Sequence, residues 1–322
     1  MAMPNNFMGW FGLSVPILQA PIGSSASVQL VEAVGRAGGM GSLAMTWTPV
    51  EVGDAQIALL KASRVPFFLN FVLRFGTESF SRFLTPGIPA ITFSWGIDPE
   101  AAAKAHAIGA KVGIQVGTAA GAKLAIAAGA DFVIAQGMEA GGHVQSTTPL
   151  KQLLPQVLAA AGETPVIAAG GLSRAEDIAS ILNQGAQAVM LGTRFLATHE
   201  ANAHYLYKQA IVKARASDTA FTNCFDIDWP HAMHGVLRNS TLEMWEAAGS
   251  PAPPHRPGEG DIVGYHGDRP IIRYSDTPPF ASATGDVLAA CLYAGTSVEY
   301  IDSVASAAEV VNRLWAGTQA LM

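Results

Sequence analysis

The chain has 322 residues, about twice a typical single domain but within the size of one large α/β barrel. Apolar types make up 50% of it and charged types 14%, so a large core can form and a disordered or low-complexity protein is excluded. The 19 Lys and Arg residues against 25 Asp and Glu give a net charge of −6. No basic block interrupts the sequence, which argues against a nucleic-acid-binding surface.

The cysteines and the N-terminus bear on the cellular compartment. Cys224 and Cys291 are too few for a disulfide framework or a CxxC site and are typical of reduced thiols in a cytoplasmic protein. The N-terminal segment has no cationic start and is interrupted by Pro and Gly, unlike a signal peptide. No apolar run approaches the ~20 residues that a bilayer requires. The sequence therefore predicts a cytoplasmic protein without a membrane partner.

Eight short apolar runs predict β-strands that alternate with Ala-rich helical segments. Each run is about 4–7 residues long, too short for a helix, and most have the continuous apolar character of a strand covered on both faces. The predicted strands are 15–20, 41–45, 67–71, 90–93, 111–116, 131–136, 166–169 and 188–191. The predicted helices include 28–37, 99–108, 119–128, 150–161 and 175–184.

Local signals mark several helix ends. Gly109, Gly129 and Gly185 each follow a helical segment and precede an alanine, which predicts a helix stop before the next strand. Ser173, with Glu176 three residues later, predicts a capping box at the start of another helix.

Eight β-plus-α units before about residue 200 predict an α/β fold of the (β/α)8, or TIM-barrel, type. An open doubly wound sheet is the main alternative, because a strand count from one sequence is uncertain by about one or two. The GxGxxG turn of a dinucleotide-binding half does not follow the first predicted strand, which favours the barrel.

The composition changes after the eighth strand. Residues 250–257 are Pro-dense and residues 258–269 are rich in Gly and charge, before a strand-like run at 271–274. We therefore expect a barrel over residues 1–215 and a small lid subdomain, inserted after strand eight, over residues 216–285. Residues 286–322 are expected to form C-terminal helices, at 287–292 and 304–314, that pack back on the barrel.

The loops that follow barrel strands share one rim, where the active sites of this fold lie. Small residues and amides dominate these positions, with one histidine and one acid, Glu139. They lack the clustered ligands of a metal hydrolase and the paired carboxylates of a glycosidase. His231 and His234 form an HxxH pair without a third ligand, so we interpret them as lid packing or pocket lining and predict no metal site.

Two glycine-rich loops together indicate a phosphate site. Residues 169–173 (AGGLS) follow predicted strand seven, and residues 191–195 (LGTRF) follow strand eight. Glycines allow a phosphate to approach the backbone, and amides at a helix start supply donors and a favourable dipole. Tight turns alone would explain one such loop. The pair lies where this fold usually binds phosphate, which favours a ligand.

A third loop, residues 136–143 (QGMEAGGH), points to chemistry. Its three glycines would let the backbone lie flat against a planar ligand, and His143 projects from its end. Histidine titrates near neutrality, so it can take up or donate a proton. A surface histidine on a flexible loop is the plain alternative, but the rim position favours a functional role.

These motifs carry a family resemblance. QAPIG at 19–23, PFFLNF at 66–71, QGMEAGGH at 136–143, AAGGL at 168–172 and GTRF at 192–195 resemble the nitronate monooxygenase family, formerly called 2-nitropropane dioxygenases. That family is related to FMN-dependent enoyl-acyl-carrier-protein reductases and NADH:quinone reductases. The likeness continues in 226–241 and 292–298. Members often have MGG where Ile22-Gly23-Ser24 stands, and Arg-Gly where Val144-Gln145 follows the histidine.

The resemblance implies an FMN-binding barrel with a lid. Four residues would hold the phosphate, beside Ala169: Gly170, Gly171, Gly192 and Thr193. Six others would contact the flavin ring or the ribityl chain: Pro21, Ile22, Gly23, Asn70, Gln115 and Gly141.

The resemblance also implies a reaction. Members oxidise an alkyl nitronate through one-electron transfer to flavin, and O2 completes the conversion to a carbonyl compound and nitrite. His143 matches the catalytic histidine, which would act as a base toward a neutral nitroalkane and would otherwise position or stabilise the nitronate anion. The expected partners are this small-molecule substrate and O2, and a homodimer is the assembly that we consider.

Two rival enzymes stay open on the sequence. One is an NAD(P)H-dependent FMN reductase of quinones or enoyl thioesters on the same fold. The other is a flavin-free lyase or isomerase whose phosphate loops bind a sugar phosphate. A non-enzymatic binding module is less favoured, because the glycine loops and the histidine converge on one rim.

Overall fold

The computed structural model of the chain describes residues 6–322. Its helices are α1 (Asn6–Phe11), α2 (Val28–Arg36), α3 (Val50–Ser63), α4 (Glu78–Arg82), α5 (Pro99–Ala107), α6 (Ala119–Ala127), α7 (Leu150–Ala161), α8 (Ala175–Asn183), α9 (Thr193–Leu196), α10 (Tyr205–Lys213), α11 (Ser240–Ala247) and α12 (Ala307–Gln319). Its strands are β1 (Ile17–Gln19), β2 (Gly41–Ala44), β3 (Phe67–Val72), β4 (Ala90–Ser94), β5 (Lys111–Val116), β6 (Phe132–Gln136), β7 (Gly142–His143), β8 (Val166–Ala169), β9 (Ala188–Leu191), β10 (Thr219–Thr222), β11 (His234–Leu237), β12 (Ile262–His266), β13 (Arg269–Ile272) and β14 (Ala283–Gly285).

Eight parallel strands form a closed barrel. Their order is β1-β9-β8-β6-β5-β4-β3-β2, and β1 pairs with β9 through Ile17 and Val189. A parallel bridge between Leu18 and Met40, immediately before β2, joins the two ends of the sheet. This closure confirms the predicted (β/α)8 TIM barrel, and the alternative of an open doubly wound sheet is wrong.

The barrel is closed at the end where its strands begin. Phe7 of α1 is fully buried, and its ring meets the ring of Phe132, at the start of β6, edge to face at 5.1 Å between centroids. The Phe7 amide donates a hydrogen bond to the Gln187 side chain just before β9. The short N-terminal helix therefore plugs the bottom of the barrel, and the opposite rim is the end that a ligand can reach.

The predicted glycine stops are confirmed. Gly109, Gly129 and Gly185 have φ of +83°, +99° and +109°, a conformation that ends a helix and favours glycine. The predicted capping box is wrong, because the N-cap of α8 is Arg174, one residue after the predicted Ser173. Asp177, instead of Glu176, accepts the Arg174 amide (3.2 Å), and the Ser173 hydroxyl donates to the Ser297 carbonyl (2.9 Å).

Two small antiparallel sheets follow the barrel, in the orders β10-β11-β7 and β13-β12-β14. In the first, His143 and Gly142 pair with His234 and Gly235, so the region after the barrel is joined directly to the loop after β6. We call residues 216–285 the lid, as the sequence analysis defines it, and the three-part division of the chain stays a prediction.

The C-terminal part contains one long helix among the residues described. Helix α12 packs against α8, where the Thr318 hydroxyl donates to the Ala175 carbonyl at 3.4 Å. The helix predicted at 287–292 is a 3-10 turn limited to Val287–Ala289. No helix within residues 6–322 is both long and apolar enough to cross a membrane.

Candidate active site

The predicted glycine loops lie on one rim of the barrel. A Cβ atom built on Gly192, after β9, would lie 3.7 Å from Ala20 and Ile22, after β1. A Cβ atom built on Gly170, after β8, would lie 3.0 Å from the carbonyl oxygen of Gly137, after β6. The structure therefore brings together the loops that the sequence analysis assigned to the phosphate and to the ring of a ligand.

The loops after β8 and β9 expose backbone to this rim. Gly170 and Gly171 have φ of +112° and +71°, which side chains rarely allow, and both are partly accessible. Helix α9 begins immediately after Gly192, and the first amides of a helix have no partner within it. The Thr193 hydroxyl accepts the Gly295 amide at 3.0 Å and keeps its own proton free to donate. These are the groups that a phosphate requires.

Strand geometry explains why amides face the barrel interior. In β3, Phe68 packs in the interior cluster, and alternation places Asn70 on the same face, nearer the rim. In β6, Phe132 and Ile134 pack in that cluster, so Gln136 also points inward at the strand end. A Cβ on Gly113 of β5 would lie 2.3 Å from the Phe132 ring, so Gly113 and, two residues on, Gln115 face inward.

Hydrogen bonds orient these side-chain amides. Asn70 Nδ2 donates to Thr92 Oγ1 at 3.0 Å. Gln115 Nε2 donates to Gln136 Oε1 at 3.0 Å and to Gln145 Oε1 at 3.3 Å. Gln136 and Gln145 are not among the residues that the motifs predict for the site. Gln136 could have been predicted from its position at the end of a barrel strand. Gln145 could not, because it follows His143 on an irregular loop.

His143 is half-buried and has an unpaired ring nitrogen. Its ring stacks on Trp229 of the lid, with centroids 4.0 Å apart and planes 28° apart. Nε2 is buried and has no hydrogen-bond partner within the described residues. Burial, and then the charge of His234, lower the His143 pKa to about 3. The imidazole is therefore neutral at pH 7 and presents an unused polar atom, which a bound ligand would satisfy.

His234 lies next to His143 on the paired strand β11. It is fully buried, its Nδ1–H donates to the Ala232 carbonyl at 2.9 Å, and its Nε2 accepts the Phe225 amide at 3.3 Å. Burial lowers its pKa to about 4. Both nitrogens are thus used within the lid, whereas His231 is exposed. The part of the chain that the structure describes contains no group of three or more His, Cys, Asp or Glu residues that could hold a metal ion.

Two residues of the loop after β6 have structural tasks. The Glu139 carboxylate accepts the Leu150 amide at 2.9 Å and thereby caps α7. A Cβ on Gly141 would lie 2.6 Å from the backbone of Ala294 and Gly295, so glycine is required there for two loops to pack. Contact of Gly141 with a cofactor stays a prediction.

The fold has close structural relatives. FabK from Thermotoga maritima superposes with a TM-score of 0.82 over 99% of this chain and 97% of that chain, at 24% identity. The nitroalkane oxidase from Streptomyces ansochromogenes superposes with a TM-score of 0.77 over 98% of this chain and 99% of that chain, at 26% identity. The first likeness concerns the fold alone, and both agree with the barrel described above.

Sequence comparison defines the family. The nitronate monooxygenase family model matches residues 73–317. The nitronate monooxygenase of Pseudomonas aeruginosa is 32% identical over 269 residues, which are 68% of this chain and 77% of that protein. The chain belongs to the nitronate monooxygenase family, and it is an oxidoreductase of that type. The resemblance inferred from the motifs is confirmed, and the family consists of flavoenzymes.

Acid should destabilise this protein through His143. Its pKa falls from 6.5 in the unfolded chain to about 3 in the fold, so the unfolded chain binds the extra proton between those values. The free energy of unfolding therefore falls as the pH drops from 6.5 toward 3. We expect the Tm of His143→Gln to fall less than the Tm of the wild type when the pH is lowered from about 7 to about 4.5. Equal losses in thermal unfolding would contradict the depressed pKa.

Proposed function

We propose that the chain is an FMN-dependent enzyme that oxidises alkyl nitronates with O2 to a carbonyl compound and nitrite. Family membership supports the reaction. One observation supports placing the reaction at this rim. The Nε2 atom of His143 is buried and unpaired, and the rim also holds glycine loops that can accept a phosphate. Nitronates, and more weakly nitroalkanes, are the proposed substrates.

The residues present fit a flavin mononucleotide. The phosphate would be bound by backbone and hydroxyl groups of the loops after β8 and β9: Ala169, Gly170, Gly171, Gly192 and Thr193. The ring and ribityl chain would contact the loop after β1, the inward amides and the loop after β6: Pro21, Ile22, Gly23, Asn70, Gln115 and Gly141. A bound flavin supplies the electron acceptor for oxidation of the nitronate.

The protonation state of His143 determines what this side chain can do to the substrate. A neutral imidazole cannot stabilise an anion through a full positive charge, so its task toward a nitronate is to orient it by a hydrogen bond at Nε2. Toward a neutral nitroalkane, the other neutral tautomer is required, with the hydrogen on Nδ1 and the lone pair on Nε2, so that Nε2 can accept the proton on the carbon that bears the nitro group. Burial disfavours the imidazolium that this transfer produces, and the new anion beside it partly offsets that cost. Preformed nitronates should therefore react faster than nitroalkanes.

An anaerobic experiment tests the proposal against its rivals. The protein is loaded with FMN and mixed, without O2, either with the nitronate of 2-nitropropane or with NADH or NADPH. We expect the nitronate to reduce the flavin and change its visible absorbance rapidly, and nitrite to appear in the turnover assay with O2. Rapid bleaching by NADH without reaction of the nitronate would favour the reductase. A protein that takes up no FMN would favour the flavin-free lyase or isomerase.

The assembly is a separate matter. The homodimer considered from the sequence stays a prediction, which sedimentation of the FMN-loaded protein can test.

A further inference from the structure

Three consecutive barrel strands place an aromatic ring at their carboxyl ends. Trp47 lies after β2, Phe75 after β3 and Trp95 directly after β4. The rings are in contact through Trp229 of the lid, which lies 6.3 Å from Trp47, 4.9 Å from Phe75 and 4.8 Å from Trp95, between centroids. We call these four residues the aromatic wall.

The aromatic wall runs from solvent to His143. Trp47 is 59% exposed and Phe75 is 39% exposed, whereas Trp229 is 5% exposed. Trp229 is also the residue that stacks on His143, and the Trp95 ring meets the His143 ring edge to face at 6.3 Å. A series of ring contacts thus leads from the outside of the rim to His143.

The backbone holds Trp95 in an unfavourable conformation. Its φ is +56°, which bulky residues rarely adopt and which costs on the order of 1–3 kcal/mol. The Trp95 amide donates to Gln145 Oε1 at 3.4 Å, so the residue that orients Gln115 also holds Trp95. Such strain at a rim is typical of a site where the position of a side chain matters more than its local stability.

The chemistry of the aromatic wall selects its ligand. Aromatic faces and edges bind apolar or aromatic groups, and the cation–π contacts of residues 6–322 all involve other rings: Trp10, Tyr274 and Tyr300.

We propose that the aromatic wall binds the substituent of the substrate, so that the enzyme prefers nitronates with a long alkyl or aryl group over small ones. This inference rests on the proposed function, because it places the reacting carbon at His143. Trp47 and Phe75, at the outer end of the aromatic wall, are then the residues that determine specificity. They contact the part of the substrate that does not react.

A homologous series measures the preference. The nitronates of nitroethane, 1-nitrobutane, 1-nitrohexane and phenylnitromethane are compared by kcat/KM in the FMN-loaded wild type. Burying one methylene changes an equilibrium by roughly threefold to fourfold. We therefore expect kcat/KM to rise by about that factor for each added methylene, and phenylnitromethane to exceed nitroethane. Equal values along the series would overturn the inference.

Variants locate the preference in the aromatic wall. Trp47→Ala and Phe75→Ala should each lower kcat/KM for the 1-nitrohexane nitronate by about tenfold, and change the nitroethane value by less than about twofold. Tyr205→Ala, which removes a ring of 66% exposure on α10, is the matched control and should change neither. An equal loss for both substrates in the Trp47 and Phe75 variants would overturn the assignment. Because both rings are exposed, we expect both variants to fold.

A binding measurement separates this inference from the proposed function. Quenching of tryptophan fluorescence by 2-octanone and by acetone reports binding of an unreactive carbonyl compound. Tighter binding of 2-octanone in the wild type than in Phe75→Ala supports the aromatic wall, even when no nitronate reacts and the proposed function fails. Turnover of all nitronates without a chain-length preference, with weak binding of 2-octanone, would overturn the aromatic wall and leave the proposed function standing.

Discussion

Replacing His143 with alanine should lower kcat/KM for a neutral nitroalkane by about 10²–10⁴, the usual contribution of a positioned general base. The loss for a preformed nitronate should be much smaller, because no proton has to leave the carbon. FMN should remain bound, since the predicted phosphate contacts lie on the loops after β8 and β9. The measurement compares the two ionisation states of one compound, nitroethane, in the FMN-loaded variant.

His255→Ala provides the control for the loss of a histidine, because His255 is exposed on the lid and makes no contact with His143. It should behave as the wild type with both substrates. Turnover of neutral nitroethane by His143→Ala within about twofold of the wild type would refute a proton-transfer role. An equal loss with nitroethane and its nitronate would show that His143 positions the substrate only.

Replacing Gly171 with leucine should abolish retention of FMN. Gly171 has φ of +71°, and a Cβ there would lie 2.9 Å from Glu139 Cβ and 3.2 Å from Thr296 Oγ1. The side chain must therefore displace the loop after β6 or enter the space of the proposed phosphate. We expect a colourless purified protein and FMN affinity weakened by at least about 100-fold, a loss of about 3 kcal/mol. Fluorescence titration with free FMN measures this.

Gly109→Leu is the control for Gly171→Leu, because it introduces the same kind of backbone strain at a position away from the rim. Gly109 has φ of +83° at the end of α5, and a Cβ there meets no atom within 4 Å. This variant should lose some thermal stability and keep its flavin. A Gly171→Leu protein that purifies fully yellow would remove Gly171 from the site.

Local sequence patterns were sufficient to predict the barrel. Short runs buried on both faces, such as β3, alternate with helices that end at Gly109, Gly129 and Gly185, and these signals act within a few residues. The rim could be predicted for the same reason, because a residue that follows a parallel strand must lie at its carboxyl end. Thus the positions of Gly170, Gly192 and His143 relative to the strands follow from the sequence.

Contacts between distant segments could not be predicted. Trp229 lies 86 positions after His143, and no local pattern shows that their rings stack or that this burial depresses the His143 pKa. The same applies to Phe7, which precedes the first strand in the chain and closes the bottom of the barrel. The N-cap of α8 is Arg174 instead of Ser173, whose hydroxyl donates to the Ser297 carbonyl, a tertiary contact that the local signal does not show.

The proposed reaction requires that the rim of this barrel bind a flavin mononucleotide next to His143. The most direct measurement is a titration of the purified protein with FMN, followed by the visible absorbance of the flavin in the wild type and in His143→Ala. We expect one FMN bound per chain in both proteins, with a flavin spectrum that differs between them. A wild type that takes up no FMN, or two identical spectra, would overturn the proposed site.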